Sequence, residues 1–143
     1  MNRQSLYRKP VQLIIGVLLI SIISSQQLLA QSKTWTVPKE YTNLTNPMSG
    51  DQAALKEGKV LYTANCTPCH GDKGKGDGPA AAALKPKPAD HSSSAMLQET
   101  DGNIFYKISE GRTPMPQYKS TLTEKQRWEL VAYIRTLSNG AKQ

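Results

Sequence analysis

Cys66-Thr67-Pro68-Cys69-His70 holds both cysteines of the 143-residue chain and one of its two histidines. Two thiols separated by two residues, with an imidazole directly after them, suit few chemistries. A structural zinc site wants four ligands, and His91 is the only other histidine, so no second ligand pair completes one. A plain disulfide between Cys66 and Cys69 would close a loop too short to stabilise much. A Cys-x-Pro-Cys pair can also serve thiol–disulfide exchange in an oxidising compartment. Such a pair normally opens a helix after a strand, in a βαβ setting. In this chain a helical pattern precedes it, a glycine-rich loop follows, and no later strands complete a sheet.

The other reading is attachment of c-type haem, for which C-x-x-C-H is the signature. Each thiol forms a thioether with one vinyl group, and two intervening residues let the chain bridge both. His70, next along, is then placed to ligate iron through its imidazole. Motif, compartment and context together favour haem, with the thiol pair as the alternative.

Upstream, Leu55, Gly58, Leu61 and Tyr62 share one face at spacings of three and four, while Lys56, Lys59 and Thr63 point away. That pattern predicts an amphipathic helix ending near Asn65, opened by a capping box at Ser49-x-x-Gln52. Downstream, Gly71 to Asp90 is a loop with a short Ala run. Its Gly71, Gly74, Gly76 and Gly78 neither follow a strand nor end in Gly-Lys-Ser/Thr, so a phosphate-binding loop is not indicated. A short helix is expected over Asp101 to Glu110, with Ile104, Phe105 and Ile108 inward and Gly111 as its stop. Gly111 to Lys119 is a proline-rich loop. A second capping box, Thr123-x-x-Gln126, starts a last helix to about Ser138 that buries Leu130, Tyr133, Ile134 and Leu137. Asn139-Gly140 ends it. No strand is predicted, so the fold class is all-α, with three to five helices joined by Gly/Pro loops.

Composition agrees with a small domain that needs help from a cofactor. Only 38% of residues are hydrophobic, and many of them lie in one block between Val11 and Ile23, leaving little for a core downstream. No self-similar period indicates a repeat protein. The 18 basic residues against 11 acidic give +7, but three of the basic ones (Arg3, Arg8 and Lys9) precede the apolar block. From Gln31 onward the count is 15 against 11, or +4, with Lys and Asp alternating along the middle of the chain. A nucleic-acid partner is therefore not expected.

Those three cations, the 13 residues Val11 to Ile23 and the small Ala30 form a secretory leader pattern over residues 1–30, expected to be cleaved. The alternative is an uncleaved anchor, although the apolar run is short of the roughly 18–20 residues a spanning helix needs. Residues 31–48, with Pro38 and Pro47, are expected to be an extended lead-in arm, and residues 49–143 the functional domain. The expected location is periplasmic, or membrane-anchored facing the periplasm.

From roughly Gly50 to Leu137 the chain resembles a single-haem class I cytochrome c of the small bacterial type, similar to the cytochrome c subunits of terminal oxidases. Gly58-x-x-x-Tyr62-x-x-x-Cys66 resembles the family's first helix, Gly111 to Tyr118 its distal loop, and Trp128 to Leu137 its C-terminal helix. The resemblance implies the cytochrome c fold wrapped around one covalently bound haem. It implies Tyr133 packing against Gly58, and a backbone carbonyl near Pro79 accepting the Nδ1 hydrogen of His70. Arg112 and Trp128 are candidates to face haem propionates, with surface or core roles equally open.

The distal-loop methionine is the family's second iron ligand. Met48 lies before the first helix and Met96 sits among Ser94 and Gln98 with no rigid neighbours, whereas Met115 lies between Pro114 and Pro116, whose fixed φ stiffens the loop. His91 and an open site are the other possibilities. The expected set is thus Cys66 and Cys69 as covalent haem attachments, His70 as proximal and Met115 as distal iron ligand. With both axial sites filled by protein, one-electron transfer follows. The expected function is an electron carrier rather than an enzyme, shuttling between respiratory partners such as a membrane oxidase, reductase or dehydrogenase. The alternatives are a haem subunit of a larger membrane oxidoreductase, and a periplasmic thiol–disulfide oxidoreductase using Cys66 and Cys69. Membrane contact would come only through partners or an uncleaved leader.

Overall fold

The computed structural model describes residues 34–139, so the expected leader lies outside the described residues. The chain divides after Trp35, and the unit from Thr36 is built of helices. In order they are α1 (Lys39–Thr42), α2 (Gln52–Asn65), α3 (Thr67–His70), α4 (Ser94–Gln98), α5 (Asp101–Glu110) and α6 (Glu124–Asn139). A 3-10 turn covers Ala81–Ala83. No strand occurs among the described residues, where Arg112 and Met115 form an isolated bridge. No helix among them is long and apolar enough to cross a membrane.

The two long helices cross. The expected inward face of α2 is the observed one, with Gly58 and Tyr62 buried and Leu55 and Leu61 half-buried. Gly58 sits at the crossing. A Cβ there would collide with the Glu129 carbonyl of α6 and lie 3.0 Å from the Tyr133 Cβ. Only a residue without a side chain allows so close an approach. Tyr62, Leu130, Val131 and Ile134 fill the space beside the crossing with almost no exposed surface. Each such side chain contributes about 1.5–3 kcal/mol through burial.

Caps set the helix boundaries. The start of α2 differs from expectation: Asp51, not Ser49, is its N-cap, and the Asp51 carboxylate accepts from the N–H groups of Ala53 and Ala54. A carboxylate satisfies two orphan donors and complements the helix dipole as well. The box at Thr123 is present, with Thr123 N–H donating to Gln126 Oε1 at 2.9 Å and Gln126 N–H donating to Thr123 Oγ1 at 3.2 Å. Helix α5 has the expected limits and stops at Gly111.

The lead-in stretch is less extended than expected. Lys39–Thr42 is helical, and the segment packs against α5, with the Thr42 hydroxyl donating to Asn103 Oδ1 at 3.1 Å. Tyr41 packs on Tyr106 with ring centroids 4.9 Å apart. Buried Asn46 donates from Nδ2 to the Trp128 carbonyl at 3.0 Å, tying the segment to α6. Trp128 itself stacks on Phe105 at 4.0 Å and is a core residue.

Candidate functional site

The turn between α2 and α3 carries the thiols. Cys66 is the C-cap of α2, its N–H bonded to the Tyr62 carbonyl, and it also caps the start of α3. Its carbonyl accepts from both Cys69 N–H (3.1 Å) and His70 N–H (2.8 Å). Pro68 in the first turn of α3 loses no helix bond, because that N–H would be unpaired anyway. One short turn therefore fixes Cys66, Cys69 and His70 together. Both cysteines are free thiols, Cys66 buried and Cys69 half-buried.

His70 is buried and its Nδ1 pairs with the Ala89 carbonyl at 2.9 Å. The acceptor was expected near Pro79, and the loop's own bonding explains the difference. Ala80 N–H is spent on the Pro68 carbonyl and Gly78 N–H on the Cys69 carbonyl, so the Pro79 stretch closes off the end of α3. The chain then doubles back. At Gly76 (φ +71) a Cβ would lie 2.5 Å from the Pro88 carbonyl, so only glycine lets the returning strand of the loop pass. Ala89 thereby reaches the imidazole. Burial holds the His70 pKa below its ordinary value, partly offset by the Ala89 bond, and keeps the ring neutral at neutral pH. A neutral ring that donates from Nδ1 leaves Nε2 as the metal-binding nitrogen.

His91, weighed above as a second ligand, stacks on His70 instead, with ring centroids 4.0 Å apart and planes 17° from parallel. It lies face to face with the His70 imidazole, and its own Nδ1 is engaged by the Tyr62 hydroxyl. Met115 lies in the loop after α5. Arg112 and Met115 exchange backbone hydrogen bonds of 3.0 and 2.8 Å, which closes the loop on itself. The loop is tied down by Tyr118 N–H to the Ile108 carbonyl (3.2 Å) and Lys119 N–H to the Ser109 carbonyl (3.0 Å). Met115 is half-buried and packs against the core cluster that contains Cys66. Arg112 is half-buried too.

Tyr118 is a site residue whose role the sequence did not disclose. Its hydroxyl donates to the Asn65 carbonyl at 2.9 Å, linking the Met115 loop to the residue before Cys66. Burial, and then the neighbouring Cys66 and Cys69 thiols, push its pKa up to about 12. An exposed tyrosine would have shown none of this, and only its place in the proline loop hinted at it.

The electrostatics disfavour the thiol-exchange reading. A nucleophilic C-x-x-C cysteine has a lowered pKa, whereas burial and the nearby Cys69 push the Cys66 thiol up to about 12. The donor set fits a covalently held haem: two unpaired thiols, a neutral imidazole with Nδ1 engaged, and a soft thioether on a tethered loop. Buried polar atoms without partners, Thr67 Oγ1 and Arg127 Nε, lie on α3 and α6.

A family model for cytochrome c matches residues 55–138. No curated protein sequence matches the chain. Among solved structures, the reducing HAO-like protein complex of Kuenenia stuttgartiensis is similar, with 24% identity and a TM-score of 0.56 over 77% of this chain and 53% of that one. This chain thus spans about half the length of that relative, and at this identity the likeness concerns the fold. Cytochrome CL of the marine methylotroph Methylophaga aminisulfidivorans is similar at 26% identity and a TM-score of 0.49, over 73% of this chain and 69% of that one. Because the family match runs through both crossed helices, the thiol turn and the proline loop, the chain belongs to the cytochrome c family and takes a covalently bound c-type haem for electron transfer.

Proposed function

We propose that the protein is a one-electron carrier with His/Met axial ligation, working outside the cytoplasm between redox partner proteins. Cys66 and Cys69 would form the two thioethers, with His70 Nε2 and Met115 Sδ as axial ligands. The observation that carries this is the Nδ1 bond of His70 to Ala89, on the same turn that holds both thiols. Bound haem supplies a one-electron iron couple.

The protein's own groups do the rest. The Ala89 carbonyl orients the imidazole and raises its basicity. The thioether of Met115, a weaker donor than imidazole, favours the reduced metal and raises the potential. Two protein ligands leave no vacancy for small oxidants, so the protein passes electrons without turning over a substrate. The same parts suit a haem subunit of a larger redox assembly, and the Kuenenia relative is described as a complex. The leader pattern supports export, with redox proteins of the respiratory membrane as the expected partners.

The ligand test is spectroscopic. The oxidised protein should show the weak long-wavelength band of sulfur bound to ferric haem. Met115→Ala should abolish it, open the iron to carbon monoxide and lower the reduction potential. Met48→Ala and Met96→Ala should change none of these. An unaltered spectrum in Met115→Ala contradicts the assignment.

A further inference from the structure

The proposed ligand set leaves His91 without a task, yet it is one of the most tightly fixed side chains near His70. Its backbone N–H donates to the Gly74 carbonyl at 2.5 Å, which fixes the main chain beneath the ring. Its Nδ1 pairs with the Tyr62 hydroxyl at 3.0 Å, and it meets the Tyr62 ring edge-on at 5.8 Å. Tyr62 in turn is only 1% exposed and leans on Tyr133 of α6 at 5.2 Å. His91 is therefore braced, through Tyr62, by the helix crossing itself.

The hydrogen bond of the His70 ring to Ala89 does not by itself determine the ring plane. An imidazole held at Nδ1 can still tilt about that bond, and a flat neighbour on one face removes this freedom. We infer that His91 is a positioning residue for His70: with its backbone held by the Gly74 carbonyl and its ring by the Tyr62 hydroxyl, it is the wall against which the His70 imidazole plane is set. An aliphatic side chain could fill the volume but would offer neither the flat face nor the bond to Tyr62.

The inference rests on His70 being the proximal ligand, and the test separates the two. The plane of an axial imidazole determines which iron d orbitals it overlaps, so its orientation is read in the g values of the ferric holoprotein. His91→Ala should displace or split the low-spin signal of the wild type. His91→Phe, which restores a flat face, should return the g values towards wild type even though the Tyr62 bond is lost. Should His91→Ala fail to fold, His91→Leu fills the space without a flat face and should displace the signal likewise. Wild-type g values in the Ala or Leu variant, with or without a lower melting temperature, overturn the inference and leave His91 a packing residue. A wild-type spectrum lacking any low-spin, imidazole-ligated signal overturns the ligand reading itself, and the inference with it.

Discussion

Gly58 of α2 and Glu129 of α6 approach so closely that any side-chain carbon on the first would strike the carbonyl of the second. The crossing places Tyr62 one turn further along and Cys66 at the end of the same helix. The haem-bearing turn is therefore positioned by a backbone contact. Gly58→Ala should cost about 3 kcal/mol, the upper end for overpacking a filled space. Exposed Lys59→Ala should stay within about 0.5 kcal/mol of wild type. Urea midpoints of the holoproteins check this, and equal midpoints would show that the helices separate easily.

Ser109 and Arg127 give a second stability test. Arg127 is 8% exposed; its guanidinium donates to the Ser109 hydroxyl and lies 4.8 Å above the Phe105 ring. Ser109→Ala leaves the buried cation without its hydroxyl partner and should cost about 1–3 kcal/mol. Arg127→Met removes the charge along with its need for a partner, and should cost less. The reverse order in thermal melts would mean that the cation has a stronger counterpart than Ser109.

Acid should loosen the packing of α5 against the segment before it. Burial pushes the Glu99 carboxyl up, but hydrogen bonds from Lys107 and Asn103 and the charges of Lys107 and Arg135 outweigh it, and its pKa falls below the ordinary value of 4.5. Lys107 Nζ is 2.5 Å from Glu99 Oε1. A carboxyl with a lowered folded-state pKa stabilises fully above the unfolded value and loses that stabilisation as pH falls through the folded one. The wild-type advantage over Glu99→Gln should thus persist at pH 7 and shrink below about pH 4.5. Melting temperatures across that range decide it. A gap that widens towards acid contradicts the sign.

Long periodic elements with strong caps were legible in the sequence. The limits of α5 and the Thr123 box follow from side chains whose pattern encodes their environment, whereas the meeting of Gly58 with Tyr133 was implied by the family resemblance. The misses have separate causes. Asp51 outcompetes Ser49 as a cap because of its charge, which the box motif does not weigh. The short helix α1 and its packing depend on tertiary partners such as Tyr106 and the Trp128 carbonyl, and these leave no local signal. Ala89 serves through its carbonyl, which every residue has, so nothing in its side chain could mark it. The stack of His91 on His70 joins positions 21 residues apart through a loop whose path only the fold determines.

The central claim is that Cys66 and Cys69 carry haem covalently beside a ligating His70. The most direct measurement is the intact mass and absorption spectrum of the exported protein, made in a host with a cytochrome c maturation system and extracted with acidified acetone. The account predicts one haem retained on the chain through extraction, and none in the Cys66→Ala, Cys69→Ala double variant. A stable, haem-free wild-type protein with Cys66 and Cys69 joined as a disulfide would contradict it.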